Sequence, residues 1–219
     1  MDGFFLIDKE QDWTSFDVVN KIRHVLREKK VGHAGTLDPM ATGLLIVMVG
    51  KGTKQSDYIM GHSKEYIARI RLGTRTDTQD IWGTVLEQRE VCGDLDEAIS
   101  HFTGDIEQIP PMYSAIKIHG QKLYEIARRG GEVEREPRKI HIDSIERLDE
   151  DILKIRCSSG TYIRTLLNDI GEYMGCGACM SELRRTKIGT IGVERAHKVA
   201  EITDGSFLLP LDTPFDDLL

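Results

Sequence analysis

The chain has 219 residues, of which 40% are apolar and 30% are charged, and this balance predicts one large globular domain with a buried core. No apolar run reaches the roughly 18 residues that a membrane helix requires, and the first residues lack the basic segment of a signal peptide. The 4 cysteines do not suggest a disulfide framework, so we expect a reducing, cytoplasmic setting.

Charge is unevenly distributed along the chain. The net charge is −7, yet residues 21–33 carry five cations against one acid, 117–139 carry seven against four, and 184–198 carry five against one. A solvated face explains any one of these segments. Three of them beside an acidic remainder predict a polarised surface.

The first predicted elements are short strands around one helix. Residues 3–10 alternate and are rich in aromatic side chains, as in a strand. Apolar residues at helical spacing predict a helix over 16–27, capped by Thr14 or Ser15. A glycine-containing loop follows, and then the apolar run 44–49 predicts a buried strand.

The remaining elements are mostly strands. In chain order we predict a strand over 66–72, a strand over 84–91 that pairs with it across the loop 73–83, and a short helix from Asp94 or Asp96 to near Gly104. Residues 106–139 are predicted to be rich in loops, with a short strand at 114–118 and a helix at 121–129. Strands over 138–148 and 152–157, a helix over 161–174 and an extended stretch over 183–191 follow. Strands mostly follow strands, so the predicted class is α+β with a central, largely antiparallel mixed sheet flanked by helices.

Two well-known motifs are incomplete in this chain. Residues 44–53 end like a phosphate-binding loop, but Leu45 and Gly52 stand where that motif needs Gly and Ser or Thr. Cys176 and Cys179 form a lone CxxC with no further ligands at a recognisable spacing. We therefore predict neither nucleotide hydrolysis nor a metal site.

Asp38 is the candidate catalytic residue. Gly32 and Gly35 before it allow the backbone to approach another molecule closely, and Pro39 stiffens the chain after it. An ordinary Asp-Pro turn is the alternative interpretation. A carboxylate on a stiff edge beside a buried strand is suited to act as a nucleophile.

Arg164 is the second candidate. Ile163, Leu166, Leu167 and Ile170 form an apolar stripe on the predicted helix, and Arg164 lies off that stripe in its first turn. A cation there opposes the helix dipole. It is either an exposed arginine of no consequence or the partner that keeps a carboxylate ionised and oriented.

Seven segments, in the same order, resemble the TruB family of bacterial tRNA pseudouridine-55 synthases. They are FFLIDKE (4–10), GHAGTLDPMATGLL (32–45), KEYIARIRLGTRTDTQD (64–80), IEQIPPMYSAIKIHGQKLYEIARRG (106–130), SSGTYIRTLLNDIG (158–171), ELRR (182–185) and LLPLDTPF (208–215). The resemblance implies a pseudouridine-synthase-like fold. It also implies an enzyme that detaches a tRNA uracil at N1, rotates it and rejoins it through C5, with no cofactor and no metal.

The resemblance also implies the catalytic residues. Asp38 is the nucleophile, and it attacks either C6 of the base or C1′ of the sugar, two alternatives that the sequence leaves open. Arg164 pairs with Asp38. Tyr66 stacks on the uracil and helps to remove the C5 proton, although the residues alone favour an ordinary aromatic side chain of a sheet.

Four further residues are expected to contact the substrate. By resemblance, His33 presses on the RNA where the base has left the stack, and Leu183 packs against the extruded base. Gly35 and Thr36 share the loop of Asp38. Without the resemblance, a histidine after a basic helix would be unremarkable.

The implied substrate is the T arm of tRNA, whose target base must leave its stack at a cost of a few kcal/mol. Residues 106–139 correspond to the RNA-gripping insertion of the family, which we expect to be mobile without RNA. We also expect a monomer that needs neither a protein partner nor a guide RNA.

The sequence departs from the family in two places. Glu10 follows Lys9 where the family has proline, which puts a role for Lys9 in doubt. The chain ends at Leu219, where most relatives continue into a small C-terminal RNA-binding domain. We therefore expect residues 1–219 to form a single catalytic domain with weaker tRNA affinity and intact chemistry.

Two other functions are compatible with these motifs. One is a tRNA-binding or tRNA-folding chaperone whose catalysis is secondary, although such a protein does not need Asp38, Tyr66 and Arg164 together. The other is a guide-RNA-dependent pseudouridine synthase, which shares the catalytic motifs but works with protein partners.

Overall fold

The structure, a computed structural model, describes residues 1–114, 117–118 and 120–216. Two units are distinguished. Unit 1 consists of Met1–Ile67 and Glu182–Leu219, and unit 2 of Ala68–Ser181. Within the described residues, no helix is long and apolar enough to cross a membrane.

Strands and helices follow one another along the chain without a regular alternation. They are β1 (Gly3–Lys9), α1 (Ser15–Leu26), β2 (Val31–Ala34), β3 (Thr42–Val49), α2 (Ser56–Gly61), β4 (Lys64–Leu72), β5 (Thr74–Thr76), β6 (Val85–Gln88), α3 (Leu95–His101), β7 (Gly104–Gln108), β8 (Lys117–Ile118), β9 (Gln121–Lys122), α4 (Leu123–Arg128), β10 (Arg138–Arg147), β11 (Ile152–Cys157), α5 (Ile163–Met174), β12 (Ala178–Ile188), β13 (Ile191–Gly192) and β14 (His197–Lys198). Short 3₁₀ turns cover Gly50–Gln55, Val193–Arg195 and Val199–Glu201.

In unit 1 the strand order is β14-β1-β3-β12-β4, with β2 paired to β3 and β13 paired to β12. β1 and β2 run antiparallel to β3, whereas β12 runs parallel to it. Helix α1 begins as predicted, because Thr14 and Asp17 form a capping box at its start. The predicted loop before β3 is partly wrong, since residues 31–34 form β2 and make a hairpin with β3.

The core of unit 1 includes the last described segment of the chain. Leu209 exchanges two backbone hydrogen bonds with Phe4, of 2.9 and 2.8 Å. Phe215 is fully buried and meets the Phe4 ring edge to face, with centroids 5.1 Å apart. Leu44 and Ile46 of β3 complete this part of the core, so residues 208–215 are held by apolar burial.

In unit 2 the strand order is β12-β4-β11-β10-β7. The strand predicted over 84–91 forms as β6, but its partner is β5 and not β4, so that pairing is wrong. Residues 106–108, at the start of the region predicted to be loop-rich, belong to β7, which pairs with β10. The mixed sheet and the accompanying helices confirm the predicted α+β class.

Replacing Phe215 by alanine tests how far the last segment stabilises unit 1. Loss of a fully buried aromatic ring leaves a cavity beside Phe4, and we expect the free energy of unfolding to fall by about 3–5 kcal/mol. Phe16→Ala is the matched control, because that ring is 56% exposed and its loss should cost less than about 1 kcal/mol. Equal urea-unfolding midpoints for the two variants would contradict this packing.

Candidate active site

The loop that carries Asp38 connects β2 to β3 and spans residues 35–41. Asp38 is half-buried, and Thr36 is exposed. Gly35 has φ +81°, a left-handed conformation that a glycine adopts without steric cost. The Asp38 carbonyl accepts a 3.0 Å hydrogen bond from Ala41, which turns the chain into β3. The loop therefore places Asp38 four residues ahead of the buried strand β3.

The residues on both sides of Asp38 are held by the segment that follows β1. Ser15, which is buried, accepts a 2.9 Å hydrogen bond from the Leu37 amide and donates one of 3.1 Å to the Leu37 carbonyl. The Asp12 amide donates a 2.9 Å bond to the Pro39 carbonyl. Backbone groups of both residues next to Asp38, Leu37 and Pro39, are thus held by hydrogen bonds, which restricts the conformation of the loop.

Lys9 lies beneath the same loop and is fully buried. Its ammonium group donates to the carbonyls of Trp13 at 2.7 Å and Glu10 at 3.0 Å, and reaches the Pro39 carbonyl at 3.5 Å. Burial lowers the pKa of Lys9 to about 8, although the nearby Asp38 carboxylate acts in the opposite direction. The structure therefore places Lys9 close to Asp38, even though Glu10 departs from the family pattern.

Arg185 holds the other end of the loop. It lies on β12, is 1% exposed, and donates from Nε to the Leu44 carbonyl at 2.8 Å and from Nη2 to the Gly35 carbonyl at 3.1 Å. A Cβ added at Gly35 would lie 3.4 Å from its guanidinium, an ordinary van der Waals contact, so the left-handed φ and not a lack of space favours glycine there. Arg185 therefore brings a buried positive charge close to the loop of Asp38 and fixes the loop's first residue.

His33 lies on β2, just before the loop, and is half-buried. Burial, and then the charge of Arg185, lower the pKa of His33, so the ring is neutral at pH 7. Its Nδ1 atom is buried and has no hydrogen-bond partner among the described residues. The predicted contact of His33 with the RNA stays a prediction.

Tyr66 and Leu183 lie on neighbouring strands of unit 1. Tyr66 belongs to β4, where Lys64, Tyr66, Ala68 and Ile70 alternate with less buried residues, and its side chain is 8% exposed. Leu183 lies on β12 and is also buried. Both side chains are mounted on strands, and their predicted contacts with a base stay predictions.

Arg164 lies in unit 2, as the second residue of α5, and is 6% exposed, so the interpretation as an exposed arginine is wrong. Its guanidinium donates two 2.9 Å hydrogen bonds, to the carbonyls of Thr78 and Tyr113. Its Nη1 atom forms an ion pair with the buried carboxylate of Asp80, 3.7 Å from Oδ2, while Oδ1 of Asp80 accepts a 3.0 Å hydrogen bond from the Trp82 amide. These contacts fix the guanidinium firmly within its unit.

The structure brings some predicted residues together directly. His33, Gly35, Thr36 and Asp38 share one hairpin and its loop, whereas Arg164 belongs to the other unit. The pairing of Arg164 with Asp38 stays a prediction. Within the described residues, no group of three or more His, Cys, Asp or Glu side chains could hold a metal ion.

The sequence did not predict four residues that lie close to Asp38 or Arg164. They are Ser15, Arg185, Asp80 and, in part, Lys9. Lys9 ends β1 on a fully buried strand, where a charged side chain is unusual and is itself a signal. For Ser15 the sequence pattern indicates only a helix cap. The sequence contains no comparable signal for Arg185, because its acceptors are backbone carbonyls far away along the chain.

Comparison with known proteins places the chain in a family. The model of the TruB family pseudouridylate synthase, N-terminal domain, matches residues 23–163, and that of the tRNA pseudouridylate synthase B C-terminal domain matches residues 164–215. A Clostridium kluyveri protein named tRNA pseudouridine synthase B is 46% identical over 100% of this chain and 78% of its own length. Its namesake from Clostridium tetani is 48% identical over 97% and 77% of the two chains.

Solved structures agree with this assignment. A crystal structure of a Cbf5-Nop10-Gar1 complex contains a chain with a TM-score of 0.71 and 30% identity, over 92% of this chain and 53% of that one. The present chain thus spans about half the length of that neighbour. The fold is that of the pseudouridine synthases. The chain belongs to the TruB family of pseudouridylate synthases.

The buried ammonium of Lys9 predicts a pH dependence of stability. Its folded pKa of about 8 lies below its ordinary value of 10.5, so the unfolded chain binds more protons between these values. The free energy of unfolding should therefore rise with pH across this window, relative to Lys9→Met, by up to about 3 kcal/mol. Urea unfolding between pH 7 and 10.5 measures the difference.

Lys54→Met is the control for this measurement, because Lys54 is exposed. Its side chain stays in contact with water in the folded protein, so the substitution should change the free energy of unfolding by the same amount at every pH of the series. If the Lys9→Met and Lys54→Met differences follow the same curve, Lys9 does not titrate as described.

Proposed function

We propose that this protein is a tRNA pseudouridine synthase that isomerises the T-loop uridine, position 55, to pseudouridine. Family membership and the names of its relatives support this substrate. The observation that carries the proposal is the loop of Asp38, in which hydrogen bonds hold the peptide groups on both sides of a half-buried carboxylate. A turn with no function beyond reversing the chain does not need such restraint.

The reaction requires only side-chain chemistry. The N1–C1′ bond of uridine breaks, the base rotates, and a C5–C1′ bond forms, while C5 loses a proton and N1 gains one. All atoms of the product come from the substrate and water, so no cofactor is required. A carboxylate nucleophile divides this exchange into two steps through a covalent intermediate, at C6 or at C1′.

The surroundings of Asp38 suit this role. Lys9 and Arg185 place two basic side chains close to its loop. Arg164 is proposed to hold one carboxylate oxygen toward the base, and its own position is fixed by Thr78 and Tyr113. Tyr66, on a rigid strand, is proposed to stack on the uracil and assist removal of the C5 proton.

The alternatives receive less support. An enzyme that works within a protein complex is suggested by the likeness to the Cbf5-Nop10-Gar1 complex, but identity there is 30%, against 46% and 48% to proteins named tRNA pseudouridine synthase B. A chaperone that binds tRNA has no need of a restrained carboxylate. We therefore propose an enzyme that acts alone on the T arm, as a monomer and without a guide RNA.

We also propose a cellular compartment for the reaction. Cys92, Cys176 and Cys179 are free thiols, and Cys176 and Cys179 are buried. Free thiols are typical of a reducing compartment, so we place the reaction in the cytoplasm.

Replacing Asp38 by asparagine separates catalysis from binding. The amide has nearly the same shape but is not a nucleophile, so pseudouridine formation in a T-arm stem-loop should fall at least about 10³-fold while the Kd changes less than about threefold. Pseudouridine is mapped in the product without guide RNA or added metal. Asp57→Asn, an exposed carboxylate of α2, is the control and should keep full activity. Full activity of Asp38→Asn would refute the assignment.

The insertion over 106–139 is proposed to grip the RNA. Binding should slow hydrogen exchange in its described part, particularly over 123–139, since ordering on an RNA surface protects amides. Mass-spectrometric exchange with and without the T-arm stem-loop measures this change, with α3 as an internal reference that should not respond. Equal protection over 123–139 in the two states would contradict the role of the insertion.

A further inference from the structure

Gln108 is a buried polar residue at a junction of unit 2. It is the last residue of β7 and is 2% exposed. It pairs with Arg138 at the start of β10, so the insertion leaves and re-enters the sheet between these two residues. Gln108 therefore stands at the base of the insertion.

The side chain of Gln108 binds the start of helix α5. Its Oε1 accepts a 2.8 Å hydrogen bond from the Tyr162 amide, and its Nε2 donates one of 3.0 Å to the Tyr162 carbonyl. Tyr162 is the N-cap of α5, but tyrosine is not among the residue types that cap a helix with their own side chains. A single side chain thus satisfies both backbone polar groups of one residue on a distant segment, which fixes the position and the orientation of the helix start.

A second contact joins the same two segments five residues later. The Tyr113 carbonyl accepts one of the two 2.9 Å hydrogen bonds of Arg164. Between the two contacts lie Pro110 and Pro111, both buried, which limit the conformations of the connecting chain. Residues 108–113 are therefore attached to residues 162–164 at both ends.

The part of the insertion that leads back to β10 also contacts the segment 108–113. Nη1 of Arg135 donates a 3.2 Å hydrogen bond to the Pro110 carbonyl. The insertion is thus connected to the segment 108–113 by its sequence and by a side chain from its far limb. A displacement of the insertion would be transmitted to the start of α5 through these bonds.

We propose that Gln108 is a positioning residue. It joins the base of the insertion to the first turn of α5, and so fixes the position of Arg164 relative to RNA that the insertion holds. This proposal rests on the function proposed above for Arg164. Gln108 itself is not assigned any contact with substrate. Its contribution is to keep the guanidinium in place once RNA is bound, and so to act on the rate of the chemical step.

The test replaces Gln108 in two ways. Gln108→Met keeps the length of the side chain and removes both hydrogen bonds at every pH. Gln108→Glu removes the bond to the Tyr162 carbonyl while the carboxyl group is ionised, but restores both bonds when it is protonated, because the hydroxyl group donates and the other oxygen accepts. Burial next to a carbonyl should raise the pKa of this carboxyl group above its ordinary value of about 4.3.

Single-turnover rates and Kd are measured with the T-arm stem-loop. We expect Gln108→Met to lower the rate by roughly 10- to 100-fold and to change the Kd less than about threefold. The rate of Gln108→Glu should recover as the pH falls from about 8 to about 5.5, relative to the unsubstituted protein at each pH. Gln55→Met is the matched control, since Gln55 also donates to a backbone carbonyl, that of Leu211, but in unit 1.

A purely structural role predicts different results. In that case the rate of Gln108→Met would fall only as far as the fraction of folded protein seen by circular dichroism, or its Kd for the stem-loop would rise as much as its rate falls. The rate of Gln108→Glu would then depend on pH in the same way as the rate of the unsubstituted protein. Any of these results, or full activity of Gln108→Met, would overturn the proposal.

Hydrogen exchange separates this proposal from the proposed function. Amides of residues 162–166 should exchange at least about tenfold faster in Gln108→Met than in Gln55→Met, whether or not the protein forms pseudouridine. If the unsubstituted protein is inactive, the proposed function fails and the exchange result still decides whether Gln108 holds the start of α5. Unchanged exchange of the amides of residues 162–166 in Gln108→Met would by itself refute the role of the contact between Gln108 and Tyr162.

Discussion

The restraint of the backbone around Asp38 is the interaction on which the rest of this site depends. A short loop between two strands would otherwise sample several conformations, and the role proposed for Asp38, that of a nucleophile, requires a position fixed to within a fraction of an ångström. Ser15 binds both polar groups of Leu37, and Arg185 binds the carbonyl of Gly35. The donors come from distant parts of unit 1, so the loop becomes rigid only when that unit has folded.

Unit 2 uses the same strategy for Arg164. The guanidinium is held by carbonyls from two segments, at Thr78 and Tyr113, and Asp80 adds a buried carboxylate. Gln108 fixes the start of the helix that carries it. In both units, side chains bind backbone carbonyls and amides, whose positions depend on strands and helix ends and vary little once these have formed.

The sequence predicted most elements because their local patterns are strong. The helix at 16–27 has a capping box and an apolar stripe, and the strand at 66–72 alternates along its whole length. The pairing predicted for residues 84–91 is wrong, since their real partner, Thr74–Thr76, is too short to show alternation. The hairpin strand at 31–34 escapes prediction for a related reason, because its glycine makes it resemble a loop.

The sequence by itself determined the α+β class, the family, and the candidate residues Asp38, Tyr66 and Arg164, because repeating patterns and ordered motifs are local properties of the chain. The tertiary structure alone decided what surrounds them. Lys9 appeared doubtful from its neighbour Glu10, yet folding buries it beside the loop of Asp38. Contacts of this kind join a side chain to a backbone group that any residue possesses, so no residue type in the sequence marks the acceptor, and only the folded chain shows which groups meet.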